Sequence, residues 1–397
     1  MSTPSYKGGI VHGIIPAFLL AISVGQIYAF TNFSSDIAEY IGNTQKQVQF
    51  AFSLGIFFLG MGAAFFGKIV ERNIRLSTLI GTALFLSGML VTCGGIRVHS
   101  LWLVHFGYGF LIGLGTGIIY ISPVKTMMMW FPNYKALASA FPIISFGLGS
   151  TLSTYIYSKL IGDGVQSIFI WFAVIYAVLM AVGTLLLKKP VSETTLQQQS
   201  SAPATSFSYG KLLADRFFIQ SWLFMFLNIS SGLCLIPLAK QMMQNPAIGY
   251  SAALITTIVG LCGIMNGGGR FVFALSSDKL KVRMNIIGVI VGISLLTMAA
   301  TAISPAFIGA ALLIINACYG AGFSVIPAIL SDNYGMTNIS KIHGAVLSAW
   351  GFAGLVGNQI SMLVSGRFGD SAVIFMLVLL YAVSMVNFVI MRKNKAN

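Results

Sequence analysis

Long apolar runs recur along this chain at 9–32, 46–67, 76–96, 100–123, 136–160, 166–187, 217–240, 250–275, 285–303, 306–329, 343–366 and 371–391. At about 1.5 Å per helical residue, each is long enough to cross the ~30 Å hydrocarbon core of a bilayer. Backbone exposed to lipid must satisfy its own hydrogen bonds, which a helix does and an open strand does not. Charged residues make up only 8% of the chain, against roughly a quarter in soluble domains. The expected fold is therefore all-α and polytopic, with twelve transmembrane helices. The first run has no small-residue cleavage site behind it, so it reads as a span and not as a cleaved signal.

The formal net charge of +14 could suggest nucleic acid, and its distribution decides against that. With the N-terminus placed inside, sixteen of the 23 lysines and arginines fall on the cytoplasmic side, among them Lys68, Arg72, Arg75, Lys188, Lys279 and Arg392. Outer segments hold Lys46, Arg97, Lys159, Lys240 and Arg367. This bias predicts both termini in the cytoplasm. Lys125 and Arg270 remain, both inside runs. Cys93, Cys234, Cys262 and Cys318 sit singly in apolar surroundings and read as small core residues. No cofactor, metal site or nucleophilic triad is expected, because the four histidines lack ligand spacing and the glycine pairs of span four lack a third glycine and a preceding strand.

A polar segment, 188–215, containing Gln197, Gln198 and Gln199, divides a six-helix bundle at 1–187 from another at 216–397. The halves correspond. Glu71 answers Asp278 at an offset of 207 residues, Ser139-Ala-Phe141 answers Ser348-Ala-Trp350, and Ser122-Pro123 answers Ile326-Pro327. Such duplication is common in secondary transporters, which place their site near the bilayer midplane where the repeats meet.

The loop Gly67, Glu71, Arg72, Arg75 resembles the signature that follows the second helix of the major facilitator superfamily, with Glu for the usual Asp and Ile74 where a glycine is usual. Tyr120-x-x-Pro123, Trp130-Phe-Pro132, Asn266-Gly-Gly-Gly-Arg270 and Ala349-Trp-Gly351 together resemble the branch of oxalate/formate antiporters and monocarboxylate transporters. The resemblance implies the major facilitator fold of two six-helix bundles. It also implies a cytoplasmic latch of Glu71, Arg72 and Arg75 with Asp278 and Lys279; the alternative is that these charges only set topology.

Arg270 carries the strongest functional signal. It lies eight helical residues, ~12 Å, deeper than Asp278 at the end of its span, beyond easy snorkelling. All nine carboxylates lie in loops or at span ends. Arg270 is either structural, bonded to backbone carbonyls, or the partner of an anionic substrate, whose carboxylate a guanidinium fork fits. The resemblance implies the second role. Proton-coupled monocarboxylate carriers have an aspartate where Asn266 stands, and oxalate exchangers have a lysine where Trp350 stands, so a monocarboxylate and an exchange mode are expected. Lys125 reads as either snorkelling or a second anion contact, which keeps a dicarboxylate in view.

Gln26, Tyr28, Tyr120, Tyr319, Phe323 and Trp350 are candidate cavity walls, each also readable as core. Phe30, Phe52, Phe141 and residues 127–131 read as lipid or interface contacts, and His12 and His343 as interfacial more than proton-relaying. Gly109, Gly113 and Gly117 recur every fourth residue, which allows close helix approach. The expected activity is alternating-access transport of a small organic anion by a monomer in a bacterial inner membrane. A non-transporting anion sensor and an intramembrane enzyme are the alternatives.

Overall fold

The computed structural model describes residues 6–190 and 208–395. Among them, twelve helices are long and apolar enough to span a membrane. They are α1 (Lys7–Ile41), α2 (Gln45–Arg72), α3 (Ile74–Arg97), α4 (Leu101–Trp130), α5 (Pro132–Leu160), α6 (Val165–Leu186), α7 (Arg216–Met243), α8 (Ala252–Leu280), α9 (Arg283–Ile303), α10 (Pro305–Tyr334), α11 (Ile339–Phe368) and α12 (Asp370–Asn394). Number and order match the apolar runs, while several ends extend further. α1 continues past residue 32 because Phe33, Ile37 and Ile41 repeat at i, i+4 and stay buried, so an apolar face outlasts the uniformly apolar stretch.

Polar residues set the helix ends. Thr44 opens α2 with a capping box, its hydroxyl accepting from Gln47 N while Gln47 Oε1 accepts from Thr44 N. Asn73 opens α3, accepting from Leu76 N at 3.0 Å, and Asp215 and Ser251 cap α7 and α8 in the same way. The turn between α2 and α3 needs no glycine at position 74, because Asn73 is extended (φ −146°, ψ 96°) and Ile74 is buried. Of the expected linker at 188–215, residues 191–207, with Gln197 to Gln199, lie outside the described residues. Within its described end, Ser208 caps a six-residue helix, Tyr209–Ala214.

Two packed units divide the chain: Met1–Ser206 with Leu330–Gly351, and Phe207–Ile329 with Phe352–Asn397. In the first, the glycines of α4 meet α2 as their spacing predicts. A methyl on Gly113 would lie 2.5 Å from the Gly55 carbonyl, and one on Gly117 would collide with the Leu59 carbonyl. A second seam joins α2 to the first half of α11, where methyls on Gly60 and Gly67 would lie 2.7 Å from Gly351 N and 2.6 Å from the Ser340 carbonyl. Because α4 packs against α1, α2, α3 and α5, Met127, Met128 and Met129 are core; so is Phe30. This corrects the expectation of lipid contact for these four.

The second unit has its own core. Leu235, Leu238 and Met242 of α7 meet Ile308, Leu312 and Ile315 of α10 and Val373, Leu377 and Tyr381 of α12, each set at i, i+3/i+4 or i+7 spacing. The four cysteines are free thiols, and Cys234 donates to the Gly357 carbonyl at 2.8 Å within this core.

Candidate functional site

In the second unit Arg270 is only 6% exposed. Its Nε donates to Asn266 Oδ1 at 2.9 Å, one turn earlier on α8. Asn266 Nδ2 in turn donates to the Asn316 carbonyl of α10 at 3.3 Å, which fixes the amide with its oxygen toward the arginine. The guanidinium carbon lies 5.5 Å from the ring centre of Phe323, within cation–π range, and Phe323 packs against Tyr319 at 5.4 Å. Gly320 makes this possible: a methyl there would lie 3.0 Å from Arg270 Cγ. Asn266, Arg270, Tyr319 and Phe323, singled out separately in the sequence, thus form one contiguous group. The amide orients the guanidinium without neutralising it. Sequence reading missed Asn228, a buried amide on α7 whose Nδ2 donates to the Tyr319 carbonyl at 3.4 Å; an Asn in mid-span was the available signal.

The first unit gathers a group of aromatic rings. Tyr28 lies 6.3 Å and Tyr120 5.7 Å from Trp350. Phe146 stands between them, 5.3 Å from Tyr28, 5.7 Å from Tyr120 and 6.0 Å from Trp350. Phe146 also escaped the sequence reading, which aligned Phe141 of the same span with Trp350. Tyr28 and Gln26 sit on a 3₁₀ stretch of α1, Gly25–Ala29, where α1 passes flush against the Phe146 carbonyl at Gly25. Gln26 is buried, and its Oε1 accepts from the Tyr108 hydroxyl at 3.3 Å. His343 is 2% exposed, with its ring 6.4 Å from that of Tyr120. The expectation of an interfacial His343 is therefore corrected, since the glycine seam draws α11 against α2 and closes over it. His12 is half-buried and bonded to the Leu186 carbonyl.

The charged candidates resolve differently. Lys125 does not snorkel: it is 2% exposed and ion-paired with Glu71. The same carboxylate accepts from the Ser340 backbone N–H at the start of α11, so one acid ties α2, α4 and α11 together within the first unit. Arg75 donates to the carbonyls of Leu185 and Leu187 at the end of α6, a favourable place for a cation. Arg72 and Lys279 are exposed. Asp278 pairs with Arg283 at 2.7 Å inside the second unit, and Lys135 pairs with Asp332 at 3.3 Å inside the first.

Twelve spans among the described residues, a buried arginine in the eighth and an acid in the last turn of the second are joined by a match of residues 16–358 to the Major Facilitator Superfamily. The chain belongs to that family and is a multi-pass membrane transporter of its fold. It is 29% identical over 354 residues to the uncharacterized MFS-type transporter YhjX of Escherichia coli (strain K12), covering 86% of this chain and 85% of that one. It is 25% identical over 363 residues to the oxalate:formate antiporter of Oxalobacter formigenes, covering 90% and 85%. Among solved structures, the proton:xylose symporter XylE bound to 6-bromo-6-deoxy-D-glucose superimposes with a TM-score of 0.72 at 13% identity, over 96% of this chain and 94% of that one.

Proposed function

We propose that this protein carries small carboxylates across the membrane by alternating access, with Arg270 as the carboxylate ligand and a monocarboxylate as the favoured substrate. The observation that carries the reading is a buried guanidinium oriented by an amide and an aromatic face, an arrangement that presents a fixed positive charge without internal neutralisation by Asn266. Tyr319 and Phe323 supply apolar surface beside it. Tyr28, Tyr120 and Trp350 are proposed as further substrate contacts. Lys125, matched by Glu71, is assigned to the framework instead. The mode proposed is exchange of like-charged anions, because the residue one turn from Arg270 is an amide that cannot cycle a proton. The proposed setting is a bacterial inner membrane, with both termini cytoplasmic, bundles at 1–187 and 216–397, and a monomeric carrier.

A dicarboxylate exchanger is the second reading, supported by the name of the Oxalobacter formigenes relative. Trp350 weighs against it, since the resemblance places a second cation at that position in oxalate exchangers. Counterflow into proteoliposomes loaded in turn with formate, acetate, lactate, pyruvate, oxalate and malonate separates the readings. Monocarboxylates should exchange fastest, without need of a proton gradient. Uptake into empty vesicles that depends on an inward proton gradient and collapses with protonophore would refute the exchange mode, and the absence of any carboxylate exchange would refute the function.

A further inference from the structure

Backbone packing in the first unit brings two lysine-bearing helix ends side by side. A methyl on Gly67 would lie 2.6 Å from the Ser340 carbonyl and 2.8 Å from Lys341 Cα, so α2 and α11 touch without intervening side chains at this level. The next residue on α2 is Lys68, which is exposed, and Lys341, part-buried, starts α11 against it. Gly344 continues the same seam one turn further along α11, where a methyl would collide with the Ala63 carbonyl.

The surface around the pair is graded. Phe65, Lys68 and Arg72 share one face of α2 at i, i+3 and i+7 spacing. Phe65 is 68% exposed on the side toward the span centre, and Arg72 is exposed at the helix end. Positive charge at the level of the span ends with an apolar ring about one turn deeper matches an acidic phospholipid, whose phosphate lies at the headgroup level and whose acyl chains lie beneath. Basic pockets between transmembrane helices recognise such headgroups. We propose that Lys68 and Lys341 form a site for the phosphate of an anionic phospholipid, with Phe65 against its acyl chain. The inference rests on the chain spanning a membrane and is independent of the carboxylate reading.

The test uses the full-length purified protein titrated with phosphatidylglycerol and phosphatidylcholine, with bound lipid counted by native mass spectrometry. The parent should prefer phosphatidylglycerol, and Lys68→Gln and Lys341→Gln should each lower that preference about fivefold. Lys46→Gln/Lys159→Gln, which removes two exposed charges elsewhere, should leave it unchanged. Millimolar inorganic phosphate should not displace the lipid. In lipid-free neutral detergent both single variants should melt with the parent. A retained preference in Lys68→Gln, an equal loss in the control, or displacement by phosphate would overturn the proposal. So would a melt below the parent, which would make the lysines structural supports.

Discussion

Removing one partner of the Glu71–Lys125 pair should cost far more than removing both. Glu71→Gln keeps an oxygen that can accept from Ser340 N–H, but it leaves the Lys125 ammonium 2% exposed with its charge unmatched by Glu71. Breaking a buried pair in this way costs roughly 3–5 kcal/mol. Unfolding entropy scales at roughly 2 cal/mol/K per residue, so for 397 residues a loss near the middle of that range lowers Tm by about 5 °C. Lys125→Met should be milder, about 1–3 kcal/mol, because Glu71 is 13% exposed and retains its bond from Ser340 N–H. The double variant Glu71→Gln/Lys125→Met removes both charges and should return close to the parent, since well-packed apolar replacement of buried pairs is often neutral. Melting of the four proteins in one detergent gives the full cycle. A Glu71→Gln protein as stable as the parent, or a double variant no more stable than Glu71→Gln, would refute the pairing.

Asn266→Asp should place a carboxylate on Arg270 Nε and compete with substrate, so substrate KM should rise at least tenfold at neutral pH, and an unchanged KM would contradict this geometry. Gly344→Ala should reduce the yield of folded protein, since its methyl would strike the Ala63 carbonyl, while Gly366→Ala, with nothing within 4 Å, should melt like the parent. Trp350→Lys should raise the ratio of oxalate to lactate uptake by setting a cation among the rings of Tyr28, Tyr120 and Phe146; an unchanged ratio would remove Trp350 from the proposed site.

Arg270 was legible in the sequence because a span end at Asp278 fixes its depth, and depth alone excludes the escape routes of a charged side chain. The four-residue glycine repeat of α4 was legible for a similar local reason, since one helix face carries the whole signal. Lys125 was not, because a lysine stem can reach an interface and its actual partner lies 54 residues away on another helix. His343 was misplaced for want of knowing that Gly67 and Gly344 bring two backbones into contact over it. Phe146 escaped because one phenylalanine in an apolar span looks like any other until Tyr28, Tyr120 and Trp350 are placed around it.

Binding of a labelled carboxylate to Arg270→Gln tests the central claim most directly. The anion is first chosen from the counterflow panel, and its binding is then measured on purified parent, Arg270→Lys and Arg270→Gln, each confirmed folded by its elution profile and melting curve. The account predicts saturable binding to the parent, weakened binding to Arg270→Lys, which keeps the charge but loses the fork, and no measurable binding to folded Arg270→Gln. Binding by folded Arg270→Gln at the parent's affinity would contradict it.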